Sequence, residues 1–280
     1  MELHSLEHQI TPDETTAMER DGFFVVNDAL AREQLADLTA LVDRLSVEER
    51  TAKSVAVSNR VDLRDMVGRD PLLFELVDQP TTIAKVWGIL GWNIAIYHTL
   101  YMDAPPEVPA GSPLGKLGWH RDTGQLNRDM DVRPQPRVSV KVAYFLSDCS
   151  APGRANFWVI PGSHLQDRPV VPEDGTPPTG ARPVMVPAGA AVIFDRRLWH
   201  SSSPNTSQIT RKVLFYGYAY RWLKPRDDQT VEHLFDQCDP IRRQLLGHAA
   251  TGNYGFTSPT DDDVPLRVWL RELVGEEAAG

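Results

Sequence analysis

The sequence predicts a single α+β domain in which helices come first and a mainly β core follows. Apolar residues recur at helical spacing up to about residue 92, and many short apolar strands separated by turn residues follow over about 93–225. The length of 280 residues fits one domain over 1–280, and 22 prolines fit its many turns. Residues 226–280 are expected to form a C-terminal segment of helix and loop.

Three helices and one strand are predicted in the N-terminal part. Thr11 and Glu14 have the spacing of a helix N-cap and its partner three residues later, with Pro12 at the first helical position. An apolar run predicts a strand over Phe23–Val26. Two further helices are expected, and the polar stretch between them is expected to be a loop. The helices cover 31–50 and 72–90, and the loop covers 51–70.

The β core is predicted from short apolar runs bounded by proline, glycine and polar turn residues. The expected strands are 93–102, 137–147, 156–160, 183–186, 190–194, 199–202 and 212–222. Strands of this length and spacing indicate a sandwich or a barrel. A last helix is expected over 265–274.

Composition excludes several classes of function. Basic residues number 29 and acidic residues 38, a net charge of −9, so neither nucleic acid nor an anionic membrane is an expected partner. No window of 18 uninterrupted apolar residues is present, and the first 30 residues lack the pattern of a secretory signal. The two cysteines, Cys149 and Cys238, stand in no paired motif, which favours free thiols and a cytoplasmic location.

Two histidines and one aspartate form the candidate metal site. His120 and Asp122 occupy positions i and i+2, which point to the same side of an extended backbone. His200, between a strand and a turn, is the best candidate for a third ligand. Two imidazoles and one carboxylate form the facial triad of non-haem Fe(II) oxygenases. Taken singly, His120 with Asp122 also fits a loop hydrogen bond, and His200 fits a partly buried strand histidine.

Arg211, eleven residues after His200, strengthens the interpretation of these three residues as an iron site. If 203–209 is a hairpin connection, Ser202 lies roughly opposite Arg211 and near His200. A guanidinium beside an iron site is a planar partner for a carboxylate such as that of 2-oxoglutarate, and Ser202 adds a hydroxyl donor. Because a buried arginine without an anion is costly, an inward Arg211 predicts an anion at this place. The alternative is an arginine on the strand surface.

These residues resemble the motifs of a known family, the phytanoyl-CoA hydroxylase-like Fe(II)/2-oxoglutarate dioxygenases, which include ectoine hydroxylases. The match rests on His120-Arg121-Asp122, His200 and Arg211, and extends to the stretches 11–26 and 156–164. The resemblance covers about residues 10–225. It implies a double-stranded β-helix (jelly-roll, cupin-like) core with helices packed outside, iron in the barrel mouth, and 2-oxoglutarate and O2 as cosubstrates.

The family also implies further contacts and a reaction. Contacts to 2-oxoglutarate would come from near Leu100 and from the face that carries Lys141. 2-Oxoglutarate would be converted to succinate and CO2 while an unactivated C–H bond is hydroxylated. Related halogenases have a small residue in the place of the carboxylate ligand, so Asp122 favours hydroxylation over halogenation.

The strand around Lys141 can also be interpreted without the family. Val138, Val140 and Val142 alternate with Ser139, Lys141 and Ala143, so the valine face should pack on the helices while Lys141 points into the barrel. A lone ammonium there requires an anion, either a carboxylate or phosphate of the substrate or 2-oxoglutarate. The alternative is an edge strand with Lys141 in solvent.

The substrate is expected to be a small molecule, and an anionic one fits the basic residues around the site. Besides Lys141, the candidate substrate residues are Arg128, Tyr97 and Asn156. Two other classes of function stay open at this point. One is a catalytically idle jelly-roll binding module, and the other is a zinc hydrolase that uses the same two histidines and carboxylate.

Overall fold

The structure is a computed structural model that describes residues 1–130, 132–166 and 169–279. Its strands are β1 (Phe23–Val26), β2 (Asp62–Arg64), β3 (Ile94–Ala104), β4 (Ser139–Phe145), β5 (Phe157–Val159), β6 (Arg182–Val184), β7 (Ala191–Asp195), β8 (His200–Ser202) and β9 (Arg211–Tyr220). Its α-helices are α1 (Pro12–Arg20), α2 (Arg32–Lys53), α3 (Pro71–Glu75), α4 (Pro80–Leu90), α5 (Gly124–Asp129), α6 (Pro240–Leu245) and α7 (Pro265–Leu273). Short 3-10 helices occur at Leu3–His8, Val67–Arg69, Leu76–Asp78, Ser163–Leu165, Glu232–Gln237, Gly252–Phe256, Asp261–Asp263 and Glu276–Ala279.

The helix start at Thr11 is confirmed. Thr11 Oγ1 accepts a hydrogen bond from the Glu14 backbone N–H at 3.2 Å, and Glu14 Oε2 accepts one from the Thr11 N–H at 2.9 Å. This reciprocal capping box satisfies two of the donors that a helix N-terminus leaves unpaired. Pro12 then stands at the first helical position, where its missing N–H costs nothing.

Two predictions for the N-terminal half were wrong in detail. The helix expected over 72–90 is broken into α3 and α4, because Pro80 cannot donate a backbone hydrogen bond and begins a new helix instead. The loop expected over 51–70 contains the edge strand β2, which pairs with β3 through Asp62–Met102 and Arg64–Leu100. The side chains of Asp62 and Arg64 are polar and exposed, so a search for apolar runs does not find this strand.

Two antiparallel sheets face each other and form the double-stranded β-helix. The larger sheet has the strand order β1-β7-β4-β9-β3-β2, and the smaller one has β6-β5-β8. The interior between them is apolar, and the rings of Phe157 and Phe194 meet across it with centroids 5.0 Å apart. The candidate site occupies the open end of this interior.

The outer face of the larger sheet packs on the helices, as the alternation along β4 predicts. Val140, Val142 and Tyr144 belong to the core shared with α2 and α4, whereas Ala143 and Phe145 belong to the interior of the barrel. Buried tyrosines connect the larger sheet to the helices. For example, Tyr216 in β9 donates a hydrogen bond to the carbonyl of Leu73 in α3 at 2.6 Å. No helix in the described part of the chain has the length and apolarity needed to cross a membrane.

Candidate active site

Two histidines face each other on neighbouring extended segments. The His120 N–H donates to the His200 carbonyl at 3.0 Å, and the His200 N–H donates to the His120 carbonyl at the same distance. The two rings lie with their centroids 4.3 Å apart. This isolated bridge brings together two imidazoles that are eighty residues apart in the sequence.

Both imidazoles are held in the same orientation by their own chain. His120 Nδ1 lies 2.9 Å from the Gly118 carbonyl, and His200 Nδ1 lies 2.8 Å from the Leu198 carbonyl. A carbonyl oxygen only accepts, so Nδ1 donates in each ring and Nε2 is the nitrogen that remains for a metal. Burial lowers the pKa of His200 to about 4, so this imidazole is neutral at pH 7.

Asp122 completes the cluster. One nitrogen of each histidine and one oxygen of Asp122 all lie within 4.8 Å of one another. The Lys141 Nζ lies 2.9 Å from Asp122 Oδ2. Burial by itself raises the pKa of Asp122, but Lys141 and the two imidazoles hold it well below its usual range, so Asp122 is a carboxylate at neutral pH.

This donor set fits Fe(II). Two imidazoles and one carboxylate are the donors of the facial triad, and the three residues line a cavity of about 220 Å³. The cavity is smaller than the roughly 300–1,000 Å³ of typical ligand pockets, so it accommodates a compact cosubstrate rather than a large molecule.

Arg211 is buried in the same cavity without a carboxylate partner. It is 2% exposed, and among the described residues no acidic side chain lies within ion-pair distance of it. Its Nη1 lies 3.5 Å from the Ser202 hydroxyl oxygen and 3.8 Å from Met102 Sδ, and its Nε has no hydrogen-bond partner. Burial lowers the pKa of Arg211 to about 10, so it remains charged at pH 7. An uncompensated buried guanidinium requires an anion.

The predicted hairpin between Ser202 and Arg211 was wrong, although the two residues do meet. Ser202 ends β8 in the smaller sheet and Arg211 begins β9 in the larger one, so the connecting segment crosses from one sheet to the other. The side chains meet because both point into the space between the sheets. The prediction of an inward arginine near His200 therefore holds for a different geometric reason.

The remaining candidates fall into two groups. Leu100 and Lys141 line the cavity beside Ser202 and Arg211. Three candidate substrate residues do not line it: Tyr97, Asn156 and Arg128. The Tyr97 ring is buried over Gly217, the Asn156 amide donates to the Cys149 and Ala151 carbonyls, and Arg128 bonds to Gln125 on the outer surface.

Two further contacts lie in and behind the cavity wall, and both involve Asp227, which the sequence analysis did not identify. His98 lines the cavity, and its Nδ1 lies 2.6 Å from Asp227 Oδ1. Asp227 also accepts a hydrogen bond from the Thr99 hydroxyl at 3.0 Å. These residues are more than a hundred positions apart, and no local pattern marks Asp227. The exposed arginines Arg64 and Arg226 complete the mouth of the cavity.

Arg196 fixes the loop that follows Asp122. Its guanidinium donates to Asn127 Oδ1 at 2.5 Å, to Thr123 Oγ1 at 3.2 Å and to the Pro136 carbonyl at 3.2 Å. Its backbone carbonyl accepts the Asp122 N–H at 3.0 Å. Arg196 is fully buried, and these contacts tie the backbone of Asp122 to the end of β7.

Comparisons with known proteins agree with this fold. The sequence profile of the family described as phytanoyl-CoA dioxygenase (PhyH) matches residues 18–213. An ectoine dioxygenase of Nocardia farcinica is 25% identical over 238 residues, which cover 74% of this chain and 77% of that protein.

Solved structures show the same fold. HygX from Streptomyces hygroscopicus, with nickel and 2-oxoglutarate bound, superimposes with a TM-score of 0.61 at 15% identity, over 77% of this chain and 89% of HygX. The epimerase SnoN, in complex with Fe3+, alpha ketoglutarate and nogalamycin RO, has a TM-score of 0.56 at 17% identity, over 76% and 85% of the two chains.

The fold and the site define a non-haem iron oxygenase with a jelly-roll core. The chain belongs to the phytanoyl-CoA dioxygenase (PhyH) family and is an Fe(II)/2-oxoglutarate-dependent dioxygenase. The two other classes of function, a binding module without activity and a zinc hydrolase, are not favoured by these relatives.

Proposed function

We propose that this dioxygenase hydroxylates an unactivated C–H bond of a small molecule, with iron held by His120, Asp122 and His200. The observation that carries the proposal is the combination of this triad with a buried arginine, Arg211, that lacks a carboxylate partner in the same cavity. Bound Fe(II) together with 2-oxoglutarate and O2 supplies the oxidising power that breaks a C–H bond, and 2-oxoglutarate leaves as succinate and CO2.

Arg211 and Ser202 bind the carboxylate of 2-oxoglutarate that lies farther from the metal. The Arg211 guanidinium offers two parallel N–H donors, and the Ser202 hydroxyl lies 3.5 Å from one of them. Leu100 and Phe215 line the cavity next to these polar groups and exclude water from the middle of the cosubstrate. Because Arg211 is buried, electrostatic attraction between its guanidinium and a carboxylate is stronger than it would be in water.

Lys141 has its anion within the protein. Its side chain and that of Asp122 are each 7% exposed, and the pair orients the carboxylate toward the two imidazoles. We therefore assign Lys141 the role of positioning Asp122 and bordering the 2-oxoglutarate site. A carboxylate held in this way needs little rearrangement when the metal binds.

The test is turnover under labelled oxygen. Protein loaded anaerobically with Fe(II) and 2-oxoglutarate is exposed to 18O2 with pooled small metabolites. Hydroxylation places one labelled atom in succinate and the other in the product alcohol. Succinate labelled without any labelled product would contradict hydroxylation, and no succinate from iron-loaded protein under any condition would contradict the oxygenase itself.

A further inference from the structure

The mouth of the cavity carries more positive charge than the reaction needs. Five cationic and two carboxylate side chains line the cavity, an excess of three positive charges in a chain whose net charge is −9. The cations are Arg60, Arg64, Lys141, Arg211 and Arg226, and the carboxylates are Asp62 and Asp122. Bound Fe(II) and doubly charged 2-oxoglutarate cancel each other, so they leave this excess unchanged. If the carboxylate of Asp227, which lies behind the cavity wall, is also counted, an excess of two positive charges remains.

Three of these five cations already have a use. Lys141 pairs with Asp122, and Arg60 pairs with Asp62 at 2.8 Å. Arg211 is the partner for 2-oxoglutarate under the proposed function. Arg64 and Arg226 are left, and neither guanidinium makes a hydrogen bond or ion pair with any residue that the structure describes.

Arg226 is presented to the cavity by an anchored loop. A β-bulge between Ile96 and His98 leaves the Tyr97 carbonyl without a partner on β9, and the Arg226 N–H donates to it at 2.7 Å. The next residue, Asp227, turns its carboxylate inward to His98 and Thr99, with 2% of its side chain exposed. Asp227 is therefore committed elsewhere and does not neutralise Arg226 by an ion pair.

Arg64 reaches the same opening from the edge strand β2. It stands directly opposite Leu100 on β3, so the two side chains emerge from the same face of the sheet, and Leu100 lines the cavity. The end of β2 is held by the Met66 N–H, which donates to Thr99 Oγ1 at 2.8 Å. Arg64 and Arg226 thus come from separate elements that are both fastened to β3 around Thr99.

Resting on the proposed function, we propose that Arg64 and Arg226 bind an oxyanion of the primary substrate, a carboxylate or a phosphate, at the mouth of the cavity. Guanidinium groups favour such planar or multidentate oxyanions. The cavity of about 220 Å³ leaves little room beside 2-oxoglutarate, so the charged group remains at the mouth while the carbon to be oxidised points inward.

The first experiment measures anion binding directly. Protein with Fe(II) and 2-oxoglutarate, kept anaerobic, is titrated calorimetrically with inorganic phosphate. We expect saturable binding that weakens by roughly tenfold or more in Arg64→Gln and in Arg226→Gln. Lys224→Gln is the matched control, because it removes the same charge from the same loop outside the cavity lining. The absence of saturable binding, or equal binding by all variants, would overturn the proposal.

The second experiment identifies the class of substrate. A metabolite extract is divided on an anion-exchange resin, and each pool is tested for acceleration of succinate release. We expect the acceleration in the retained, anionic pool, with an increased KM and little change in kcat for the Arg64→Gln/Arg226→Gln variant. Phosphatase treatment of that pool distinguishes a phosphate from a carboxylate on the substrate. If the acceleration of succinate release disappears, the oxyanion is a phosphate; if it persists, the oxyanion is a carboxylate. Acceleration by the unretained pool alone would overturn the proposal.

The two proposals fail in different ways. Failure of the proposed function appears as protein that binds no Fe(II) or 2-oxoglutarate before any anion is added. If only the oxyanion site is wrong, the protein binds Fe(II) and 2-oxoglutarate normally. It then prefers neutral substrates, and neither Arg64→Gln nor Arg226→Gln changes anion binding or turnover.

Discussion

The Lys141 ammonium lies 2.9 Å from Asp122 Oδ2 inside the barrel, and both side chains are almost fully buried. The pair links a strand of the larger sheet to the segment that carries two of the three candidate iron ligands. It also couples the stability of the site to its chemistry, because the same carboxylate serves both the lysine and the metal.

Asp122→Ala is expected to abolish 2-oxoglutarate turnover and to destabilise the protein. The substitution removes the only anionic ligand and leaves Lys141 buried without its partner, which costs about 3–5 kcal/mol in other proteins. The double variant Asp122→Ala/Lys141→Met should recover most of the free energy of unfolding but no activity. Urea unfolding and succinate release measure the two effects. Full activity of Asp122→Ala with Fe(II) would refute the metal assignment.

Arg211→Met is expected to weaken 2-oxoglutarate binding while it stabilises the protein that lacks cosubstrate. A charged hydrogen bond contributes about 1.5–3 kcal/mol, which corresponds to roughly a 10- to 100-fold increase in the KM for 2-oxoglutarate. Removing a buried guanidinium that has no anion should raise the melting temperature without ligand. Added 2-oxoglutarate should then stabilise the wild type more than the variant. An unchanged KM would place Arg211 outside the cosubstrate site.

Arg196→Met is expected to weaken iron binding although Arg196 does not contact the metal site. Its guanidinium holds Thr123, Asn127 and the Pro136 carbonyl, and thereby the backbone of Asp122. Loss of such outer contacts costs about 10- to 100-fold in metal affinity in other proteins. Equilibrium dialysis against Fe(II) measures the change. Arg221→Met is the control, since Arg221 is also buried and also donates to backbone carbonyls, those of Gly255 and His248 in the C-terminal segment; equal losses in both variants would argue against a positioning role.

Gly217→Ala is expected to destabilise the protein by about 1–3 kcal/mol. A methyl group at this position of β9 would lie 2.7 Å from Tyr97 Cε1 and 3.2 Å from the His98 carbonyl oxygen, so the wall of the cavity would have to shift. Gly124→Ala is the control, because its new methyl group would meet nothing closer than Arg128 Nη1 at 3.7 Å. Urea unfolding measures the stability of both variants. Equal stability of Gly217→Ala and Gly124→Ala would contradict the prediction and show that the Tyr97 ring moves aside freely.

Stability is expected to fall as the pH decreases below about 6.5, partly because of His164. Burial lowers the pKa of His164, so the folded protein keeps this imidazole neutral while the unfolded chain takes up a proton. Protonation therefore favours the unfolded state between the unfolded pKa and the lower folded one. His164→Asn should reduce the difference in unfolding free energy between pH 7.5 and pH 5.5, measured by urea unfolding at both pH values. An unchanged difference in His164→Asn would contradict the assignment.

The parts of the site that follow local geometry could be predicted from the sequence. His120 and Asp122 converge because alternate residues of an extended segment share a side, and Lys141 points inward for the same reason along β4. The capping box at Thr11 is also local and was predicted correctly.

The missing parts depend on contacts distant in the sequence. β2 is a three-residue polar edge strand, and only its pairing with β3 defines it. The β-bulge at Tyr97 anchors the loop that carries Arg226, but no sequence pattern around Tyr97 predicts this bulge. Asn156, a candidate for the substrate, instead closes a turn through the Cys149 carbonyl, a contact that a linear pattern does not reveal.

The most direct test of the central claim is the anaerobic addition of Fe(II) and then 2-oxoglutarate to metal-free wild type and to His200→Ala. We expect one iron per wild-type chain, the visible absorption band of an Fe(II)–2-oxoglutarate chelate, and succinate after O2 is admitted. We expect neither the band nor succinate from His200→Ala. An equal band and equal succinate from both proteins, or wild type that binds zinc but forms no chelate with Fe(II), would contradict it.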